Sequence, residues 1–121
     1  DDGIDALVRI IANAGGVASG KIFNIGNPDN NFSIRELATM MLDLAAEYPE
    51  YRDSARQVQL VDTSAGAYYG KGYQDVQNRV PKISTTCDEL EWAPQVTMAD
   101  ALRHIFDAYR GDVAQARALM D

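Results

Sequence analysis

Tyr68, Tyr69, Lys71, Tyr73 and Arg79 fall within one short stretch of the sequence. Together they offer flat aromatic faces, hydroxyl donors and fixed positive charge, a set that suits an anionic sugar nucleotide with its base, ribose and diphosphate. The other reading is a loop whose tyrosines only pack on the domain, and residue types alone weigh the two equally. Other candidate groups are weaker. Gly66-Ala67-Tyr68-Tyr69-Gly70-Lys71-Gly72 is one residue short of a phosphate loop, and Lys71 is followed by Gly where Ser or Thr would hold magnesium. No G-x-G-x-x-G follows a strand pattern, so the chain holds no visible dinucleotide site. Neither Tyr68 nor Tyr69 has a Lys four residues on. His104 has no second His or Cys at ligand spacing, and a metal site needs three or four ligands. Cys87 has no His near it in sequence and reads as an inert thiol. Asp62-Thr63-Ser64 has no base to complete a nucleophile.

The elements that must position the tyrosine and arginine segment can be read from periodicity and breakers. Asp1 or Asp2 caps a first helix, and Ile4, Leu7, Val8, Ile11 and Ala14 follow the spacing of one buried face until Gly15-Gly16 ends it. Lys21-Ile22-Phe23-Asn24-Ile25 reads as a short strand running into the turn Gly26-Asn27-Pro28-Asp29-Asn30. Ser33-Ile34-Arg35-Glu36 is a capping box, and Leu37, Met41, Leu44, Ala45 and Tyr48 carry the helix to Pro49. Val58-Gln59-Leu60-Val61 alternates as a second strand. Residues 62–81 have no sustained period and form a long loop, of a kind that is usually functional or disordered. Ser84, Thr85 and Thr86 offer caps for a short helix through Leu90, after which Trp92 turns inward and Pro94 breaks the chain. Thr97 opens another helix with Met98, Leu102, Ile105, Phe106 and Tyr109 on its apolar face, and Val113 to Met120 form a tail helix beyond Gly111. The expected fold class is α/β: a small helix-rich lobe in which helices cover a short two-stranded sheet, with residues 1–121 as a single partial domain. A surface that docks on a missing half would stand exposed.

Composition fits that reading. The 121 residues have a hydrophobic share of 46% and a charged share of 24%, near the averages for folded domains. The net charge of -7 argues against nucleic acid as a partner. No apolar run approaches the roughly 20 residues of a bilayer span, so membrane insertion is not expected. One cysteine allows no internal disulfide, and a reducing cytoplasm is the simplest setting. The opening on Asp1-Asp2, without Met or signal peptide, leads us to expect part of a longer protein.

The run Tyr68-Tyr69-Gly70-Lys71-Gly72-Tyr73-Gln74-Asp75-Val76, followed by Arg79 and Pro81, resembles the C-terminal part of the UDP-glucuronic acid decarboxylase domain of the bifunctional polymyxin-resistance enzymes. Asp2-Gly3-Ile4-Asp5-Ala6-Leu7, Asn24-Ile25-Gly26-Asn27-Pro28 and Leu90-Glu91-Trp92-Ala93-Pro94 extend the resemblance over nearly the whole chain, although the last two patterns recur across extended short-chain dehydrogenase/reductases. The resemblance implies a C-terminal substrate-binding lobe. The intact enzyme would use NAD to oxidise UDP-glucuronic acid at its 4-hydroxyl, and the resulting β-keto acid would lose CO2 to give a UDP-4-keto-pentose, in the pathway that adds 4-amino-4-deoxy-L-arabinose to lipid A. NAD would belong to an upstream Rossmann part missing here, so this fragment should bind no cofactor and be inactive alone. Its partners would be the UDP-sugar and that upstream part, in a parent able to form oligomers. By position, Tyr73 corresponds to a substrate-binding tyrosine and Arg79 to an arginine of the decarboxylation step, with Tyr68, Tyr69 and Lys71 as further loop contacts. Val80 and Lys82 depart from the lysine and small residue expected there, and residues 51–57 share little with the family. Other nucleotide-sugar epimerases or dehydratases, UDP-xylose synthases and a non-catalytic binding module are the alternatives.

Overall fold

The computed structural model describes residues 1–63 and 79–119. Six α-helices are found among them: α1 (Asp2–Ala12), α2 (Ile34–Glu47), α3 (Arg52–Gln57), α4 (Ser84–Leu90), α5 (Met98–Tyr109) and α6 (Val113–Ala118). The chain divides into two compact units, Asp1–Asn31 with Asn78–Thr97 and Phe32–Gln77 with Met98–Asp121.

In the first unit α1 packs on α4. Ala6, Leu90 and Trp92 form the core, and Ile10, Val17, Phe23, Ile83 and Cys87 close around it. The inward turn of Trp92 is as expected: only 2% of it is exposed, and its Nε1 donates to the Asp2 carbonyl at 3.0 Å. Arg9 donates to the carbonyls of Leu90 at 3.0 Å and Glu91 at 2.5 Å, satisfying acceptors that the end of α4 leaves open.

The buried face of α1 is not the one its periodicity indicates. Ile4, Leu7, Val8 and Ile11 are exposed, Ile11 by 82%, while the helix packs through Ala6, with Ile10 beside it. The apolar stripe is real, but Ala6 is the position small enough for α4 and Trp92 to approach closely, and the larger side chains point away from them.

The second unit is built on α2, α3 and α5. Leu44, Tyr48 and Leu102 form its core, with Leu37, Met40, Tyr51, Met98 and Phe106 around them. Tyr48 stacks on Phe106 with ring centroids 5.5 Å apart, and Tyr51 meets both rings edge-on. The capping box forms as the sequence demands: the Glu36 amide donates to Ser33 Oγ at 3.2 Å, and the Ser33 amide to Glu36 Oε2 at 2.7 Å.

The two-stranded sheet is a correction. Neither 21–25 nor 58–61 is a strand among the described residues, and the two segments lie in different units. An extended segment becomes a strand only when a neighbour completes its ladder, and two short segments seldom suffice. Ile22, 95% exposed, and Val61, 83% exposed, have nothing packed over them. Helix α3 was not foreseen, since its RDSARQ sequence carries no apolar period. Caps from Ser84, Thr85 or Thr86 are likewise absent. Ile83 occupies the cap position of α4 without a side-chain cap bond, and Thr86 turns inward.

Candidate functional site

Of the five residues singled out in the loop, Arg79 alone is described; Tyr68, Tyr69, Lys71 and Tyr73 lie outside the described residues. Arg79 is exposed and begins an irregular stretch that runs into α4. Three contacts of the first unit hold that stretch. Pro81 lies against Gly26 so closely that a Cβ placed on the glycine would stand 2.9 Å from the proline Cγ. The Asn24 side-chain amide donates to the Lys82 carbonyl at 3.3 Å. Ile83 is set into the border of the Ala6, Leu90 and Trp92 core.

The segment that receives Pro81 is itself clamped. Thr86, 1% exposed, donates from Oγ1 to the Asn24 carbonyl at 2.8 Å. The side-chain amides of Asn27 and Asn30 both donate to the Val96 carbonyl, at 3.1 and 3.0 Å, and Asn27 Oδ1 accepts from the Asp29 amide at 3.0 Å, tightening the turn. Val96 is fixed in turn by Asp2, whose carboxylate accepts from the amides of Gln95 and Val96, each at 2.9 Å. A chain of side-chain to backbone bonds thus runs from the start of α1 to the turn beside Pro81.

The chain superposes on the crystal structure of PbgP3 from Burkholderia pseudomallei with a TM-score of 0.82, at 63% sequence identity over 98% of this chain. The chain resembles PbgP. It spans 32% of the length of PbgP3, so it corresponds to a part of that protein. No protein-family model matches the chain. The resemblance to the C-terminal part of the polymyxin-resistance enzymes therefore extends over nearly the whole chain, and its described helices match a part of PbgP3.

In the second unit, the approach to the loop is marked by an ion pair between Arg35 and Asp62, beside a cavity of about 250 Å³ lined by Ile34, Ala38, Leu60 and Thr63 among others. Away from it, α2 and α5 carry a paired charge cluster. Arg103 bonds Glu47 at 2.8 Å, Arg110 bonds Glu50 at 2.8 Å, and the Tyr48 hydroxyl donates to Asp107 at 2.8 Å. The Tyr48 hydroxyl is held above its ordinary pKa, chiefly because it donates a hydrogen bond to the Asp107 carboxylate. Glu50 is held below the usual value by its own backbone amide and by Arg110. Both arginines of the cluster are ion-paired, and partly exposed pairs of this kind contribute only modestly to stability.

His104 is exposed, and no group of three or more His, Cys, Asp or Glu could hold a metal among the described residues. Cys87 is half-buried against the first core, in keeping with an inert thiol. None of the described helices is long and apolar enough to cross a membrane. Sequence reasoning missed Asn24, Gly26 and Thr86 as supports of the Arg79 stretch. The signal available was Asn24-Ile25-Gly26-Asn27-Pro28, read as a strand end running into a turn and as a pattern common to the superfamily, but not as a support of Arg79.

Proposed function

We propose that this chain is the substrate-side lobe of an NAD-dependent enzyme that oxidises and decarboxylates UDP-glucuronic acid to a UDP-4-keto-pentose, in the polymyxin-resistance modification of lipid A. The observation that carries the reading is the 63% identity to PbgP3 over 98% of the chain, taken together with the resemblance of the sequence to the polymyxin-resistance decarboxylases. The chain carries no glycine-rich dinucleotide turn, so its own residues do not fit a nicotinamide cofactor, and NAD belongs to another part of the full-length protein. When bound there, NAD supplies the hydride acceptor.

What this chain contributes is charge and placement at the sugar. Arg79 pairs with the glucuronate carboxylate through its planar, positively charged fork. As CO2 leaves, the electron pair it abandons is delocalised toward the neighbouring keto oxygen, and a fixed guanidinium stabilises that negative charge without reorganising. Such a group holds its proton tightly, so charge stabilisation is its first role and protonation of the product carbon only a subordinate one. Tyr73 binds the sugar nucleotide, and Tyr68, Tyr69 and Lys71 add loop contacts. The test is release of labelled CO2 by the full-length protein from UDP-glucuronic acid with NAD+, followed by identification of the sugar. CO2 with a UDP-4-keto-pentose and accumulating NADH is the expected result. A folded, cofactor-bound protein that releases no CO2 would remove the assignment.

A further inference from the structure

We propose that Gly26 and Asn24 are positioning residues for Arg79, with Gly26 setting how deeply its stretch seats on the first unit and Asn24 setting its register. The proposal rests on the reading of Arg79 as the partner of the substrate carboxylate. It begins from the fact that Arg79 and Val80 are exposed, so Pro81 is the first residue after the arginine that is packed. Where Pro81 seats therefore decides where the guanidinium is presented.

The seat exists because residue 26 has no side chain. A Cβ there would lie 2.9 Å from Pro81 Cγ, whereas carbon atoms reach their best separation at about 3.5–4.0 Å, so an alanine forces the two apart, by about 0.6–1.1 Å if full contact is to be regained. The proline cannot yield as a flexible side-chain end would, because its ring is tied into the backbone and locks φ. The glycine side cannot easily yield either. Thr86 holds the Asn24 carbonyl on one flank, and Asn27 and Asn30 hold the Val96 carbonyl on the other. The side that moves is the 79–82 stretch, whose other ties among the described residues are the bond from Asn24 to the Lys82 carbonyl and the packing of Ile83 that follows it. A shift of that size at a reacting group is enough to lower a rate about a hundredfold.

The experiment uses the full-length protein with Gly26→Ala, Pro81→Ala, the double variant, Asn24→Ala and Arg79→Ala. Three quantities are read: affinity for UDP, affinity for UDP-glucuronic acid, and labelled CO2 release. Gly26→Ala should lower kcat for CO2 release by about tenfold to a hundredfold and erode the preference for UDP-glucuronic acid over UDP, with UDP affinity kept within about twofold. Adding Pro81→Ala should restore release to within about threefold of the Pro81→Ala protein, because the Cγ that collides is gone. Asn24→Ala, which removes one exposed side-chain bond, should show the same split at smaller amplitude, and it carries the test if Gly26→Ala does not fold. Losses that fall equally on UDP affinity and CO2 release, or no recovery in the double variant, would overturn the positioning role while Arg79→Ala still abolishes release. If Arg79→Ala itself releases CO2 normally, the reading beneath the proposal has failed instead.

Discussion

Replacing Trp92 tests the account of the first unit most directly. The indole is 2% exposed, fills the space between Ala6 and Leu90, and donates to the Asp2 carbonyl at 3.0 Å. Trp92→Ala removes the whole ring and leaves a cavity, for which about 3–5 kcal/mol is the ordinary cost. Trp92→Phe keeps most of the apolar volume but loses the donor, and one net hydrogen bond with a small packing loss is worth about 1–2 kcal/mol. A domain of this size has a total stability of only about 5–15 kcal/mol, so the alanine variant should leave much of the first unit open while the phenylalanine variant stays folded. Urea unfolding followed by far-UV circular dichroism gives the two free energies. Hydrogen exchange at the Cys87 amide, which donates to the Ile83 carbonyl at 2.9 Å, shows whether α4 opens. An alanine variant within about 1 kcal/mol of the parent would refute the claim that Trp92 organises this core.

Other perturbations separate the remaining claims. Ser33→Ala should cost about 0.5–2 kcal/mol in thermal or urea unfolding, since α2 then loses its side-chain cap and Glu36 its hydroxyl partner while keeping the bond from the residue 33 amide. Glu36 is held below its ordinary 4.5, first by its hydrogen bond from the Ser33 amide, and Glu50 is likewise depressed. Their stabilisation is complete above that value and is lost as pH falls through the lower folded pKa, so the melting temperature should drop on acidification below about 4.5. Tyr48 has the opposite sign: its folded pKa is raised above 10.0, so its contribution is present below that pH and is lost as pH rises through the folded value. Tyr48→Phe should flatten the alkaline limb of the melting curve and leave the acid limb unchanged. Arg79→Ala in the full-length protein should depress CO2 release far more than UDP affinity, and equal losses would make the arginine a general anchor.

Local signals made most of the helices legible. The Ser33 capping box, the stop at Pro49 and the period from Met98 to Tyr109 each act within one or two turns, so they could be read without knowing the fold. Tertiary choices were less accessible. Periodicity showed that α1 has an apolar stripe but not which face α4 covers, and the answer turned on one alanine. The supposed strands failed for a related reason, because a strand is defined by its neighbour and composition cannot supply one. At the candidate site, Arg79 was singled out by its motif alone. Its supports were not, since Gly26 to Pro81 and Asn24 to Lys82 join segments more than fifty residues apart.

The aromatic side chains are divided between the units in a way that makes the protein its own optical probe. Trp92 is the sole tryptophan and sits in the first core, while Tyr48, Tyr51 and Phe106 are clustered in the second. Indole emission therefore reports the environment of the Arg79-bearing unit without any attached dye. Among the described residues, most of the helical signal in circular dichroism comes from α2, α3, α5 and α6 of the other unit. Recording both during one melt compares the two halves of the chain directly, and coincident curves would reveal a single cooperative transition.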